Sequence, residues 1–408
     1  MTPPDSNDPE PFPWHLGVYD AHCHPTDTMS TISSIPAMKT RILTVMATRI
    51  QDQDLVTSTA ETHGIRSSDP AKWSRDECVV PCFGWHPWFA HQMYFDDEQN
   101  HREGEKDTGE LEGQAKLIHY QNVFQPHREV LSEEDQEILQ SLPSPIPFSA
   151  FLAETREHLV KYPYALIGEV GLDRAFRVPS AWSPSAWSQR DTTVTPGGRE
   201  GRRLTPFRCS PQHQKRVFKE QLQLAAEMGR AVSVHGVQAH GLVFESLQEL
   251  WAGHEKVVLS KREKKRRGVD HESVAASMDD SDANPSPNAN AQPQPYPPRI
   301  CLHSFSGPPS VLKQYLNPII PVRIFASFST AINLSDALDS ETPAAFEDVI
   351  KTVPDHMLLV ESDLDRAGSD IDTRMEDIIR RICRIKGWNL TEGVQQLGKN
   401  WHGFVFGS

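Results

Sequence analysis

Two histidines separated by a single residue, His22 and His24, close the apolar run Val18-Tyr19-Asp20-Ala21. Residues i and i+2 share a face of an extended chain, so both imidazoles project from one side of a strand end. A pair at that spacing can hold one divalent cation, imidazole being the commonest protein ligand for zinc, nickel, copper and iron. Further ligand-type side chains stand at the ends of later strand-like runs: Glu169 in ALIGEV, His235 in AVSVH, His303 in RICLH and Asp363 just after MLLVE. Taken singly, each has an ordinary alternative, as a hydrogen-bonded histidine or a helix-capping carboxylate. Six such groups at equivalent positions point to one shared rim.

A parallel sheet is what must bring them together. Apolar runs of strand length occur at 18–22, 41–47, 78–84, 165–170, 231–235, 299–303, 324–328 and 357–361. Helical patterns lie between them at 211–229, 241–251, 308–316 and 371–386. The first opens on Ser210-Pro211 and stops at Gly229. Continuous apolar strands, each followed by a helix, describe a sheet covered on both faces. Eight such units predict a (β/α)8 TIM barrel, with a doubly wound open sheet as the alternative. In a barrel the carboxyl ends of the strands share one rim, where all six residues fall.

Three stretches interrupt the alternation, and we read residues 1–408 as one barrel domain with long insertions. Residues 95–146 are charged and irregular with helical patches, and 177–210 mix Trp, Ser, Pro and Arg. Residues 261–298 run from a basic head into an Asp-, Asn-, Gln- and Pro-rich tract, which is expected to be disordered because it cannot bury enough apolar surface to offset chain entropy. The basic head, Lys261 to Arg267, reads either as a solvated helix end entering a linker or as a nuclear localisation signal.

Composition narrows the functional classes. With 408 residues and 38% hydrophobic content the chain can build a large core, and its net charge of −14 argues against coating nucleic acid or anionic membrane by charge alone. No run of about 18 apolar residues occurs and the amino-terminal segment is acidic and Pro-rich, so we expect no membrane association and a cytoplasmic or nuclear location. Six scattered cysteines without a CxxC pair read as buried free thiols.

The segments VYDAHCHPTD, CFGWHPW, IGEVGLD, QLQLAAEMGRAVSVHG, CLHSFSG and LLVESD occur in an order that resembles the TatD family of metal-dependent hydrolases, and GKNWHGFVF resembles that family's closing Asn motif. The resemblance covers most of the chain outside the insertions. It implies a (β/α)8 TIM barrel of the metal-dependent hydrolase, amidohydrolase-like type and the activity of a magnesium- or zinc-dependent deoxyribonuclease. The GLDRAFR continuation and the long insertions are most similar to a fungal subgroup described as partners of an anaphase-promoting-complex subunit, which implies such a protein partner besides DNA, taken as single strands or ends.

Position by position, the resemblance makes His22, His24 and Asp363 ligands of a first metal, Glu169 a bridge, and His235 and His303 ligands of a second. The cofactor is then a pair of divalent ions, Mg2+, Zn2+ or Mn2+, and the reaction is phosphodiester hydrolysis. Asp363 and Glu169 are the catalytic carboxylates, with Asp363 orienting or deprotonating the attacking water. His86 in GWHPW reads as a substrate-phosphate contact or as a loop histidine packed on Trp85 and Trp88. Arg174 reads as a second phosphate contact or a surface ion pair. The chain departs from the family in three places: His235-Gly236-Val237 replaces His-Ser-Arg, Glu361-Ser362-Asp363-Leu364-Asp365 lacks the usual proline, and HPW replaces HPH or HPE. Two other classes stay open on the sequence, an amidohydrolase acting on C–N or ester bonds and a non-catalytic or weakly active interaction partner. Against the first, no Lys lies in ALIGEVG to serve as a carboxylated bridge.

Overall fold

The computed structural model describes residues 10–96, 109–195, 199–258, 294–338 and 340–407. Eight strands make one sheet in chain order: β1 (Tyr19–Cys23), β2 (Ile42–Met46), β3 (Val79–Phe83), β4 (Leu166–Asp173), β5 (Val232–Val237), β6 (Arg299–Leu302), β7 (Arg323–Phe328) and β8 (Leu358–Val360). Every neighbouring pair is parallel. Just past their ends the first and last strands meet, Asp363 N–H donating to His22 O at 3.0 Å and His24 N–H to Leu364 O at 2.8 Å. The sheet thus curls into a nearly closed barrel, as the alternation predicts, rather than an open doubly wound sheet.

Sequence explains the strands directly. All residues of β2 (ILTVM), β3 (VVPCF) and β4 (LIGEVGLD) are buried, as expected where barrel interior and helices cover both faces. Pro81 has no N–H to give a ladder, and it sits where β3 pairs with β2 alone, β4 joining only at Cys82 and Phe83.

The outer layer consists of α1 (Ile50–His63), α2 (Phe148–Lys161), α3 (Pro211–Glu227), α4 (His240–Trp251), α5 (Pro309–Tyr315), α6 (Ala344–Thr352), α7 (Ser369–Lys386) and α8 (Leu390–Val405). The four helices expected from periodicity are α3, α4, α5 and α7. In α3, Ser210 Oγ accepts from His213 N–H and Pro211 sits in the first turn. In α7, Ile371, Met375, Ile378, Ile379 and Ile382 form the buried stripe, and Gly387 ends the helix at φ 72°, a conformation that favours glycine. The sequence reading does not name α1, α2, α6 or α8. The inward face of α1 includes Asp52 and Gln53, which dilutes its apolar stripe, whereas α6 and α8 carry apolar stripes that were there to be read.

Two insertions contribute more than the sequence reading allows. Residues 95–146 contain helices Gly113–Val123 and Glu133–Ser141, and Phe124–Gln125 pairs antiparallel with Arg208–Cys209 of the 177–210 stretch. Leu117, Tyr120, Phe124, Leu139, Val178 and Phe207 form a core of their own beside the barrel. Within 261–298, residues 261–293 lie outside the described residues, together with the disorder and the localisation signal expected there. The remainder is part of the fold and shortens that expected tract: Pro297 is buried and Pro298 O accepts from Arg323 N–H at 3.2 Å. Among the described residues no helix is long and apolar enough to cross a membrane, and all six cysteines are free and buried, as expected.

Candidate metal centre

The carboxyl ends of the strands bring His22, His24, Glu169, His235, His303 and Asp363 to one place, with His86 beside them. Glu169 is central. Its Oε2 lies 3.4 Å from both His22 Nε2 and His24 Nε2, while its Oε1 lies 3.2 Å from His86 Nε2, 3.3 Å from His303 Nε2 and against His235 Nδ1. Asp363 Oδ1 is 3.4 Å from His24 Nε2 and 3.7 Å from His22 Nε2. His22, His24 and Asp363 form one group able to hold a metal ion, and His22, Glu169 and His303 a second. Further groups join His86, Glu169 and His235, and His303, Glu361 and Asp363.

Local structure aims each group. Glu169 is not at the end of β4, as the sequence reading has it, but four residues before it, facing the barrel mouth. Gly171 takes φ +154° where a side chain would collide with the backbone of His235, so β4 and β5 approach closely at this point. Asp363 adopts φ 55°, a left-handed turn that Asp tolerates better than most residues, and its N–H bond to His22 O fixes the turn against β1.

Three of the imidazoles have a partner behind them as well as a carboxylate in front. His22 Nδ1 is 2.9 Å from Ser233 Oγ and His235 Nε2 is 3.3 Å from Asp173 Oδ2, while His303 Nδ1 has the Glu361 carboxylate at 2.9 Å as an ion-pair partner without hydrogen-bond geometry. Such outer partners hold a ring in orientation and leave the other nitrogen's lone pair directed inward, the arrangement of metal-ligating histidines. Asp173 is fixed in turn by Trp88 Nε1–H at 2.6 Å and by the N–H groups of Ala175 and Phe176.

The charge pattern fits cations. Burial opposes a charged imidazole, yet Glu169 and Asp173 raise His235 to about 9, and Glu361, Glu169 and Asp363 raise His303 to about 10. His24 is likewise driven well above the ordinary range, against burial, by its bonds to Asp363 and Glu169. Buried Glu169 and Asp363 are nonetheless held low by the surrounding imidazoles. The carboxylates therefore create a buried field that draws positive charge, and divalent ions can replace the protons in it.

His86 differs from the rest. Its Nδ1 accepts from Trp88 N–H at 3.1 Å, so that nitrogen carries the lone pair and the proton belongs on Nε2, which faces Glu169. Burial lowers its pKa to about 4. This makes His86 a neutral hydrogen-bond donor and argues against ligation through Nε2. Arg174, by contrast, is exposed and does not line the cavity. The lining arginine is Arg49, ion-paired to Asp52 at 3.2 Å. Sequence reasoning passes over it, as it does Asp173 as a brace for His235; the alternation of side chains along IGEVGLD, which turns Asp173 inward, was the available signal. The mouth is a cavity of about 370 Å³ with Trp88, Phe89 and Ile332 on its apolar side and Asp27 and Asp365 among its polar groups.

A (β/α)8 barrel with histidines and carboxylates converging at the carboxyl ends of its strands defines the class of barrel hydrolases that use metal. Within that class, the chain belongs to the family described as TatD related DNase, which it matches over residues 19–404. It is 32% identical over 388 residues to the Cut9-interacting protein scn1 of Schizosaccharomyces pombe, covering 95% of this chain and 98% of that one. It is 25% identical over 313 residues to an uncharacterized deoxyribonuclease of Saccharomyces cerevisiae, covering 73% and 74% of the two chains. A crystal structure of an uncharacterized amidohydrolase from Saccharomyces cerevisiae shares the fold with TM-score 0.50 and 13% identity, over 96% of this chain and 99% of that one.

Proposed function

We propose that this protein hydrolyses phosphodiester bonds as a deoxyribonuclease, with two divalent cations, Mg2+, Zn2+ or Mn2+, held by His22, His24, Asp363, Glu169, His235 and His303. The observation that carries this reading is the outer partner behind His22, His235 and His303, which leaves each ring with a nitrogen directed at Glu169. When bound, such ions supply an acidified water and neutralise phosphate oxygens. The remaining work falls to the protein. Glu169 presents one oxygen to the His22–His24 pair and the other to His235 and His303, which supports it as the residue that would hold both ions. Asp363, partly open to the cavity, accepts the proton of the attacking water. His86 donates its Nε2–H to a phosphate oxygen. Trp88 and Phe89 shield one side from water, and a cavity of about 370 Å³ takes one unpaired nucleotide rather than a duplex.

The test uses a labelled single-stranded oligonucleotide and protein stripped of metal. Cleavage should require added Mg2+, Mn2+ or Zn2+ and stop in EDTA. Glu169→Gln should lower the rate about 100-fold, more than His86→Ala does. Wild-type cleavage by Glu169→Gln in saturating Mg2+ or Mn2+ would refute the binuclear reading. The name of the Schizosaccharomyces pombe relative, a Cut9-interacting protein, supports a second, compatible role in binding a protein partner, for which we propose an anaphase-promoting-complex subunit. In that role, a His22→Ala/His24→Ala variant should still co-purify with the subunit while losing hydrolysis.

A further inference from the structure

The stretch from Arg174 to Arg208 holds seven arginines and two carboxylates, Asp191 and Glu200, in a chain whose net charge is −14. This basic segment adjoins the cavity. Thr195 N–H donates to Asp27 O at 2.7 Å and Thr195 Oγ1–H to Thr26 O at 3.1 Å, and Asp27 lines the mouth. Arg202 lies close enough to the cavity-lining Arg49 for the two guanidinium groups to repel. The segment also carries two tryptophans, each under an arginine: Arg190 lies 4.5 Å over Trp187 and Arg202 4.9 Å over Trp182, with the two indoles 5.8 Å apart. Trp187 is 47% exposed, and Arg199 and Arg203 are exposed.

We propose that this arginine- and tryptophan-bearing flap beside the metal centre binds single-stranded nucleic acid, its arginines tracking the phosphates and Trp187 stacking on a base. The inference rests on the phosphodiesterase reading for its choice of ligand. Guanidinium groups suit phosphate, and an exposed indole supplies the sequence-tolerant platform that single strands use. The flap also provides basic groups in a protein that has lost the arginine two positions after His235, where Val237 stands. An acidic protein segment would satisfy the arginines but leave the exposed part of Trp187, which Arg190 does not cover, without a stacking partner.

Fluorescence anisotropy with a labelled twelve-residue oligothymidylate, in EDTA, tests the flap apart from the metal centre. Arg199→Glu/Arg203→Glu should weaken binding at least tenfold and flatten the dependence of log K on log salt by about 1.4, the contribution of two phosphate contacts. Trp187→Ala, which alters no charge, should weaken it about fivefold or more. Lys72→Glu/Lys351→Glu makes the same charge change at exposed sites outside the flap and should leave binding within twofold. Equal losses in the flap and control pairs, or none in either, would overturn the proposal. So would polyglutamate that displaces the oligonucleotide as well as unlabelled oligothymidylate does, since the flap would then read acidity alone. Hydrolysis of bis(p-nitrophenyl) phosphate by the wild-type protein with Mn2+ reports separately on the phosphodiesterase reading.

Discussion

Removing the carboxylate of Asp173 would leave His235 Nε2 without its acceptor and Trp88 Nε1 without its 2.6 Å bond. If His235 ligates through Nδ1, Asp173→Asn should lower affinity for Mn2+ or Zn2+ about 10- to 100-fold by isothermal titration, with the fold intact by circular dichroism. The imidazoles also set a pH dependence. His235 and His303 hold protons up to about 9 and 10 in the absence of metal, and must lose them on the ligating nitrogen to bind. Metal binding at pH 7 should therefore release protons, and affinity should rise from pH 6 to pH 9; an uptake of protons, measured with a pH indicator, would contradict this. At this scale the ligand-type residues were legible because each stands near a strand end, where barrel geometry makes distant positions neighbours. Arg174 stands outside the cavity because side chains alternate: with Asp173 turned inward, its neighbour turns out to solvent.

Among the elements, the segment carrying His86 and Trp88 is held from behind by neutral histidines. His119 Nε2–H donates to His91 O at 2.8 Å, and His213 Nε2–H to Ala90 O at 3.0 Å, tying an insertion helix and α3 to the residues just after His86. Burial lowers His91 to about 3 and His119 and His213 to about 4. These values are depressed below the unfolded one, so the unfolded chain takes up protons first as pH falls. Stability is retained above about pH 6.5 and declines toward pH 4, by about 1.4 kcal/mol per pH unit for each group. Thermal melts should show Tm falling between pH 7 and pH 4.5, and His119→Gln/His213→Gln should make that fall shallower. Nothing in the sequence marks these histidines as a set, because they come from an insertion and a barrel helix whose docking depends on the satellite core. The closing Asn motif was readable as a motif, but its work is structural: Asn400 Nδ2–H donates to Asp355 O and Leu358 O, locking α8 beneath β8.

For the molecule as a whole, the alternation of apolar runs made the barrel readable, while the boundaries of what interrupts it were not. Composition alone placed the end of the third interruption at 298, yet Tyr296 stacks edgewise on His254 and Pro297 is buried. Deleting 261–290 should leave Tm within a few degrees, whereas extending the deletion through 298 should lower it markedly, because only the longer deletion removes packed side chains. Charge is also distributed unevenly on this scale, with an arginine-rich flap on an acidic molecule, a contrast that the total of −14 conceals.

The seam between β8 and β1 has a consequence for how the protein is made. Ser362 and Asp20, which bond across it, are 342 residues apart, and the ligand-type residues His22, His24 and Asp363 flank the same join. At about 5–20 residues per second, a ribosome exposes the first two histidines roughly 20–70 s before it adds the last carboxylate. Throughout that interval the nascent chain lacks Asp363 and the strand that closes the barrel behind it. A stalled chain ending before β8 should retain no tightly held metal, so whatever chemistry the rim performs is withheld until synthesis of the barrel is almost over.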